Sequence, residues 1–253
     1  MTRPGEGKTA LVSGAARGIG RATADLFSRE GYATVGFDVA DEETGAGERD
    51  WALERCDVAD EDAVAALVEA VASEHGRIDV LANIAGVVLV KPLAETEWDE
   101  FKRVVDVNLG GTFLTCKHVI PVMQRQGGGA IVNLGSVSGH VGQVDHSLYG
   151  ATKGAIIALG RALAWELAPL GIRVVTVSPG SVDTPMLRGD IEIESNKTGV
   201  RFADVKALRE REQALGRWAD PSEIAEAICF LASERASFIT GADLLVDAGW
   251  VAR

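Results

Sequence analysis

Short apolar runs alternate along the chain with longer stretches whose apolar residues recur every three to four positions. A short apolar run bounded by turn residues predicts a buried strand, whereas the longer period predicts a helix with one face on a core. Strands that alternate with helices are typical of a parallel, doubly wound sheet with helices on both faces. The predicted strands are residues 9–12, 33–37, 78–82, 130–134, 173–177 and 242–246.

The helical pattern fills the intervals between these strands. After Gly14, apolar residues keep helical spacing as far as Gly31, and further helices are predicted over residues 60–76, 96–126 and 149–167. Asp220 and Glu223 flank a proline as a capping box does, so one more helix starts there. We expect an α/β fold with about seven parallel strands, and 253 residues fit one domain, 1–253.

Residues 181–216 interrupt this alternation with a long polar insertion after the strand 173–177. Ligands of doubly wound sheets bind at the carboxyl ends of the strands, and loops of this length are usually functional. The insertion is therefore predicted to be a substrate lid, with Gly189 and Gly199 as its hinges.

Charge and cysteine content narrow the class of partners. The chain has 37 acidic and 25 basic residues, a net charge of −12, and is expected to bind neither nucleic acid nor anionic membranes. No apolar run approaches the length of a bilayer span, and no secretion signal is evident. Cys56, Cys116 and Cys229 are widely spaced, which favours reduced thiols in a cytoplasmic protein.

A glycine-rich turn joins the first strand to the first helix. Gly14, Gly18 and Gly20 permit a tight turn and a close backbone approach, and the helix N-terminus attracts a pyrophosphate. Asp38 ends the second strand, where a carboxylate binds the adenosine ribose and repels a 2′-phosphate. The sequence thus favours NAD over NADP, although Arg17 is a basic residue that could bind a 2′-phosphate.

Tyr149 and Lys153 lie four residues apart near the start of a predicted helix and should share one face. A nearby ammonium lowers the pKa of a phenol, so the pattern predicts a tyrosine able to act as an acid and base.

Together these motifs resemble the short-chain dehydrogenase/reductase family in its compact, single-domain Rossmann-fold branch, over about residues 8–251. The matching positions are Ser13, Gly14, Arg17, Gly18, Ile19, Gly20, Asp57, Val58, Asn83, Ala85, Gly86, Asn108, Ser136, Tyr149, Lys153, Pro179, Gly180 and Thr184. Two positions depart from the family pattern: Ser13 replaces a threonine and keeps the hydroxyl, and Ile84 replaces an asparagine that would brace the strand.

The resemblance implies a catalytic set of Asn108, Ser136, Tyr149 and Lys153. Tyr149 would exchange the substrate hydroxyl proton, Ser136 would hydrogen-bond the substrate oxygen, Lys153 would bind the nicotinamide ribose, and Asn108 would position a relay water. NAD contacts are expected from Gly14, Arg17, Gly18, Ile19, Gly20, Asp38, Asp57, Val58, Asn83, Ala85, Gly86, Tyr149, Lys153, Pro179, Gly180, Val182 and Thr184. Substrate contacts are expected from Ser138, His140, Gln143, His146, Met186 and Leu187.

The predicted function is NAD-dependent hydride transfer between a small secondary alcohol and its ketone. One alternative is a 3-oxoacyl-type reductase using NADPH, against which Asp38 and the acidic balance speak. The other is a non-catalytic NAD-binding sensor or scaffold, which would have no need of the proton-transfer residues. No spacing of Cys, His and carboxylates suits a catalytic zinc site, so no metal is expected.

The helix 149–167 has little polar face, and the stretch 96–126 is similarly apolar. Exposed apolar faces of this size mark interfaces. We also expect that Trp250 and Val251, near the end of the chain, do not pack in the core of the same subunit. Family members are commonly joined through these helices and the C-terminal segment. A homotetramer with D2 symmetry is predicted, with a dimer as the alternative.

Overall fold

The computed structural model describes residues 3–41 and 47–252. Within these residues seven parallel strands form one sheet in the order β3-β2-β1-β4-β5-β6-β7. This confirms the predicted fold class, a doubly wound α/β sheet. The strands are β1 (Thr9–Ser13), β2 (Ala33–Asp38), β3 (Ala52–Arg55), β4 (Val80–Asn83), β5 (Gly129–Leu134), β6 (Ile172–Pro179) and β7 (Asp243–Val246).

Helices connect the strands and cover both faces of the sheet. The predicted helix 96–126 is in fact two α-helices joined by a π-helical turn at residues 106–110. The described α-helices are α1 (Gly18–Arg29), α2 (Glu61–His75), α3 (Trp98–Val105), α4 (Gly111–Gln126), α5 (Ser147–Leu167), α6 (Pro185–Thr198), α7 (Phe202–Arg211) and α8 (Pro221–Ala232).

Side chains that alternate along each strand divide the interior into two cores. On one face, Ala10 and Val12 of β1 pack with Phe27 of α1 and residues of α8. On the other face, Leu11 packs with residues of α2, α4 and α5. Helices on both faces explain why the central strands read as continuous apolar runs rather than as an alternating pattern.

Strand β3 is absent from the strands that the sequence pattern predicts. Ala52 pairs with Val35 of β2, at the edge of the sheet. Ala52, Glu54 and Arg55 are exposed and only Leu53 is half-buried. An edge strand with so little buried surface has no apolar run by which a sequence pattern could find it.

The segment 181–216 contains helices α6 and α7 rather than an open loop. Ile191, Val205 and Trp218 form a small core beneath these helices, separate from the two cores of the sheet. Gly199 ends α6 with a φ of +72°, as a hinge position would. Gly189 lies inside α6, so its prediction as a hinge was wrong for this conformation.

The C-terminal segment also differs from expectation. Trp250 is buried within its own chain and lines the large cavity described below, whereas the sequence suggested that it had no core to enter. Arg253 lies outside the described residues. Across residues 3–41 and 47–252, no helix has both the length and the apolar character that a membrane crossing requires.

Candidate active site

A cavity of about 530 Å³ lies at the carboxyl ends of the strands. The glycine turn and the end of β2 line one part of it, and Tyr149 lines another. Strands β2 and β3 extend the sheet on one side of β1, and β4 to β7 extend it on the other side. The strand order therefore reverses direction between β1 and β4. Such a topological switch point is where doubly wound sheets bind nucleotides.

The glycine turn is shaped for close packing. Gly14 and Gly18 have φ values of +69° and +56°, and a Cβ on Gly14 would lie 2.8 Å from the Cα of Ala85. A Cβ on Gly20 would lie 2.0 Å from the carbonyl oxygen of Gly14. Among the described residues no side chain caps the N-terminus of α1, so its first N–H groups are available to bind an anion.

The departures from the family pattern leave this turn intact. The Ser13 hydroxyl accepts hydrogen bonds from the N–H groups of Ile84 at 2.9 Å and Ala85 at 3.0 Å. Ser13 therefore joins β1 to β4 through its hydroxyl, and the apolar side chain of Ile84 packs into the core.

Asp38 occupies the end of β2 and lines the cavity. Its Oδ2 accepts a hydrogen bond from Ala16 N at 3.1 Å, and its Oδ1 accepts one from Ala40 N at 3.0 Å. These two bonds fix the carboxylate, and each oxygen retains a lone pair for a ribose hydroxyl. Arg17 also lines the cavity and is exposed to solvent.

Tyr149 stands in the first turn of α5, and Ser136 follows the end of β5. Both line the same part of the cavity. The Ser136 hydroxyl accepts a hydrogen bond from Ser138 N at 3.1 Å. Desolvation raises the pKa of Tyr149 to about 12, and the interaction with the Ser136 hydroxyl acts in the opposite direction. The predicted lowering of the phenol pKa is therefore wrong for the protein without cofactor.

Lys153 lies one turn after Tyr149 and is almost fully buried. Its Nζ donates a hydrogen bond to the carbonyl oxygen of Leu134 at 2.8 Å and is 5.7 Å from the centroid of the Tyr149 ring. Burial lowers the pKa of Lys153 to about 8. The two side chains do share a helix face, as their spacing predicted, but desolvation decides both pKa values.

Asn108 is fully buried in the π-helical turn and does not line the cavity. Its Oδ1 accepts a hydrogen bond from Val87 N at 2.8 Å, while its Nδ2 donates to Val87 O at 3.0 Å and to the Thr152 hydroxyl at 3.1 Å. The side chain thus joins the loop after β4 to α5, beside Lys153.

The structure brings most of the predicted cofactor residues to one cavity, with Asn83 as the exception. Its Nδ2 donates to Asn133 Oδ1 at 2.9 Å, and its Oδ1 accepts from the Thr115 hydroxyl at 2.7 Å. The amide therefore belongs to a buried network beneath the sheet. The predicted cofactor residues that line the cavity are Gly14, Arg17, Gly18, Ile19, Gly20, Asp38, Asp57, Val58, Ala85, Gly86, Tyr149, Lys153, Pro179, Gly180, Val182 and Thr184.

Of the predicted substrate residues, Ser138, Gln143, His146, Met186 and Leu187 line the cavity. His140 does not. Its Nε2 lies 2.6 Å from Oδ2 of Asp243 on β7, so the ring turns towards the edge of the sheet.

Several cavity residues had no sequence signal of their own. Asp190 and Arg209 reach the cavity from α6 and α7, whose helical nature the polar pattern of this segment hid. Asp190 follows Met186 by four residues, so a helix assignment would have placed both on one face. Arg103, Val107 and Trp250 also line the wall.

Comparison with known proteins agrees with this geometry. A family model described as Enoyl-(Acyl carrier protein) reductase matches residues 14–251. Over 97% of each chain, the protein is 43% identical to the cis-4-hydroxycyclohexanecarboxylate dehydrogenase of Sinomonas cyclohexanicum. It is 36% identical to the 3-oxoacyl-acyl-carrier-protein reductase FabG of Thermotoga maritima, over 97% of this chain and 98% of that protein.

The solved structure of Thermoplasma acidophilum aldohexose dehydrogenase in its ligand-free form matches with a TM-score of 0.92 and 35% identity, covering 100% of this chain and 96% of that one. The chain belongs to the short-chain dehydrogenase/reductase family, as its motifs predicted. It is an oxidoreductase of a family that uses a nicotinamide cofactor.

Proposed function

We propose that the protein is an NAD-dependent dehydrogenase of small secondary alcohols. One observation carries this proposal: Tyr149 and Ser136 share a single cavity with the glycine turn and Asp38. An alcohol carbon placed beside Tyr149 would therefore lie in the same cavity as a nucleotide anchored on the glycine turn. A nicotinamide bound there supplies the hydride acceptor.

In the oxidising direction, the Tyr149 phenolate accepts the substrate hydroxyl proton as the carbinol carbon loses hydride. Ser136 donates its hydroxyl hydrogen to the same substrate oxygen. Its own oxygen already accepts from Ser138 N, which holds the side chain in place. The reverse reaction uses the protonated phenol as the acid.

Lys153 supports this chemistry in two ways. Its ammonium has three hydrogens, one of which bonds the Leu134 carbonyl, and the others can bind ribose hydroxyls. Its positive charge also stabilises the phenolate of Tyr149, whose ring centroid is 5.7 Å away.

For Asn108 we propose a positioning role. Its amide binds the backbone of Val87 and the hydroxyl of Thr152, one residue before Lys153. Both Nδ2 hydrogens are used in these bonds and the side chain does not line the cavity, so its effect on a relay water would pass through the backbone of the π-helical turn.

NAD is the proposed cofactor because Asp38 is fixed by Ala16 and Ala40 where the adenosine ribose would lie. A 2′-phosphate there would meet a carboxylate. The relative from Thermotoga maritima makes an NADPH-dependent 3-oxoacyl reductase the second candidate. Arg17 is the residue that would favour it, since it lines the cavity and is exposed.

The test is to incubate the purified protein with NAD or NADP and a panel of cyclic alcohols, polyols, sugars and hydroxy acids, and to follow the absorbance of the reduced nicotinamide. Turnover of a secondary alcohol with NAD supports the proposal. Turnover of 3-oxoacyl thioesters with NADPH alone supports the reductase. Tight NAD binding with no turnover of any compound supports a non-catalytic sensor.

We also propose that the chain forms a homotetramer of D2 symmetry, with a dimer as the alternative. Trp165 of α5 is 87% exposed and Phe113 of α4 is 53% exposed, although both are large and apolar. Leu244 and Leu245 are exposed on β7, at the edge of the sheet. Two separate apolar surfaces fit two symmetry axes.

We further propose that the protein works in the cytoplasm. Its three cysteines are free thiols, which suit a reducing compartment.

A further inference from the structure

The cavity wall beside Tyr149 contains a histidine, His146, with one ring nitrogen held in a hydrogen bond. His146 is buried, and its Nδ1 lies 2.7 Å from the carbonyl oxygen of Val144. Because a carbonyl oxygen only accepts hydrogen bonds, Nδ1 carries the hydrogen, and Nε2 of the neutral ring has a free lone pair. Within the part of the chain that the structure describes, Nε2 forms no hydrogen bond.

Asp190 is a second acceptor in the same wall. It lies on α6 and lines the cavity together with Tyr149 and His146. Among residues 3–41 and 47–252 it forms neither an ion pair nor a hydrogen bond. Burial raises the pKa of Asp190, an effect that the nearby His146 and Arg209 oppose and Glu194 reinforces.

Arg209, a cation that lines the same cavity, is already paired. Arg209 of α7 donates a hydrogen bond to Glu194 at 2.7 Å, and it lies 3.9 Å from Glu212. The wall therefore presents two acceptors, Nε2 of His146 and the carboxylate of Asp190, that form no hydrogen bond with any described residue. Both acceptors line the open cavity, where a donor group of a bound ligand can pair with them.

We infer that His146 and Asp190 form a subsite for a second hydroxyl group of the substrate, and that the preferred substrate is an uncharged diol or polyol. This inference rests on the proposed function, because it places the reacting hydroxyl at Tyr149 and Ser136.

A charged group on the substrate, whether a carboxylate or an ammonium, is disfavoured at this subsite. A substrate carboxylate would meet Asp190 with Glu194 and Glu212 behind it. A substrate ammonium would be repelled by Arg103, which lines the same cavity and forms no ion pair among the described residues. A neutral hydroxyl can donate to either acceptor without such repulsion, and the aliphatic walls at Val87 and Val107 suit the carbon skeleton.

The experiment compares matched substrates that differ by one hydroxyl group: cyclohexanol and the cyclohexanediols, with 4-hydroxycyclohexanecarboxylate as the anionic probe. We expect the kcat/KM of the best diol to exceed that of cyclohexanol by about 10- to 100-fold, the usual effect of a hydrogen bond to a charged group. Equal values for the diols and cyclohexanol would overturn the inference. A preference for the carboxylate would also overturn it and would point to Arg103 as an anion site.

Variants then assign the effect to residues. Asp190→Ala and His146→Phe should each reduce the diol-to-cyclohexanol ratio by about tenfold or more. Glu192→Ala is the matched control, since it removes an exposed carboxylate from the same helix, α6, and does not line the cavity. Its ratio should stay that of the unaltered protein. An unchanged ratio in Asp190→Ala would overturn the inference.

A binding measurement separates this inference from the proposed function. In Tyr149→Phe saturated with NAD, calorimetric titration should show diols binding about tenfold or more tightly than cyclohexanol. Adding Asp190→Ala should abolish the difference, and its persistence would contradict the subsite. If the unaltered protein oxidises no alcohol, the proposed function fails, but this affinity ratio still decides whether the subsite exists.

Discussion

At the scale of single residues, burial shifts the pKa values of Tyr149 and Lys153 in opposite directions. Desolvation raises the pKa of Tyr149 to about 12 and lowers the pKa of Lys153 to about 8, because burial disfavours the charged form of each group. The phenolate and the ammonium are each unfavourable alone, but they stabilise each other when both are charged. A phenolate base at Tyr149 would therefore depend on the ammonium of Lys153 for its stabilisation.

Tyr149→Phe should lower kcat by about 10²- to 10⁴-fold, the usual contribution of general acid and base catalysis, while NAD affinity stays within about twofold. Because the active base is the deprotonated phenol, alcohol oxidation by the unaltered protein should rise with pH from neutrality, and the residual rate of the variant should not. Steady-state kinetics across pH and NAD titration measure both effects.

The chain offers a matched control in Tyr32, its other tyrosine, which is packed in the core away from the cavity. Tyr32→Phe should retain the activity and the pH dependence. Substantial oxidation by Tyr149→Phe would show that another group takes the proton, and His146 would be the first to test.

Asp38→Ser should relax the cofactor preference. The unaltered protein should prefer NAD over NADP by at least about tenfold in kcat/KM, because Asp38 accepts ribose hydroxyls and repels a 2′-phosphate. Removing the carboxylate removes both effects, so the ratio should fall towards one. Asp41→Ser is the control, an exposed carboxylate three positions further on. Better turnover with NADP by the unaltered protein would contradict the assignment.

Sequence motifs located the site well wherever the backbone defines it. The glycine turn and Asp38 follow strand ends, and a strand end fixes the place of the backbone without reference to side-chain direction. Asn83 and His140 do not line the cavity, because their side chains turn to Asn133 and Asp243. Orientation of that kind depends on partners distant in sequence.

At the scale of elements, the central strands and long helices were predictable. The strands are buried along almost their whole length, and each long helix has a regular buried face. Strand β3 lacked a buried run, and the π-helical turn 106–110 has the same apolar pattern as the helices on either side of it. The helices α6 and α7 carry many charged residues, since they pack mainly on a small core of their own. Their periodicity was therefore too weak to predict them.

The segment 181–216 is anchored at its end by one buried side chain. Gln213 Oε1 accepts a hydrogen bond from Ser181 N at 3.1 Å, and its Nε2 donates to Arg217 O at 2.8 Å. The amide thus joins the end of the segment to Ser181, the second residue after β6.

Gln213→Ala should loosen this segment, since it leaves a buried N–H without a partner at a cost of about 1–3 kcal/mol. We expect the KM for the alcohol to rise severalfold more than the KM for NAD, because α6 carries substrate-side residues. Steady-state kinetics and thermal unfolding measure this. Gln124→Ala on the exposed side of α4 is the control. Equal changes in both KM values would contradict a role of the segment in substrate binding.

At the scale of the whole molecule, the proposed assembly makes a prediction about mass. Light scattering coupled to gel filtration should give about four times the chain mass of 26.6 kDa at micromolar concentration. Trp165→Glu should halve this mass by placing a charge in one interface. Leu215→Glu, at an exposed position in the segment 181–216, should leave it unchanged. A mass of one chain for the unaltered protein would refute the assembly.

The strand order also governs how the chain can fold. Strand β1 lies inside the sheet between β2 and β4, so Ala10 is paired on its second side only when Val80, 70 residues later in the chain, is in place. Likewise, Thr176 of β6 must wait for Asp243 of β7. Pairings so distant in sequence raise the contact order and slow folding, and a nascent chain exposes open strand edges in the interval. Losses during overproduction should therefore arise from this unfinished sheet, so slower synthesis at low temperature and added chaperones should recover more native protein.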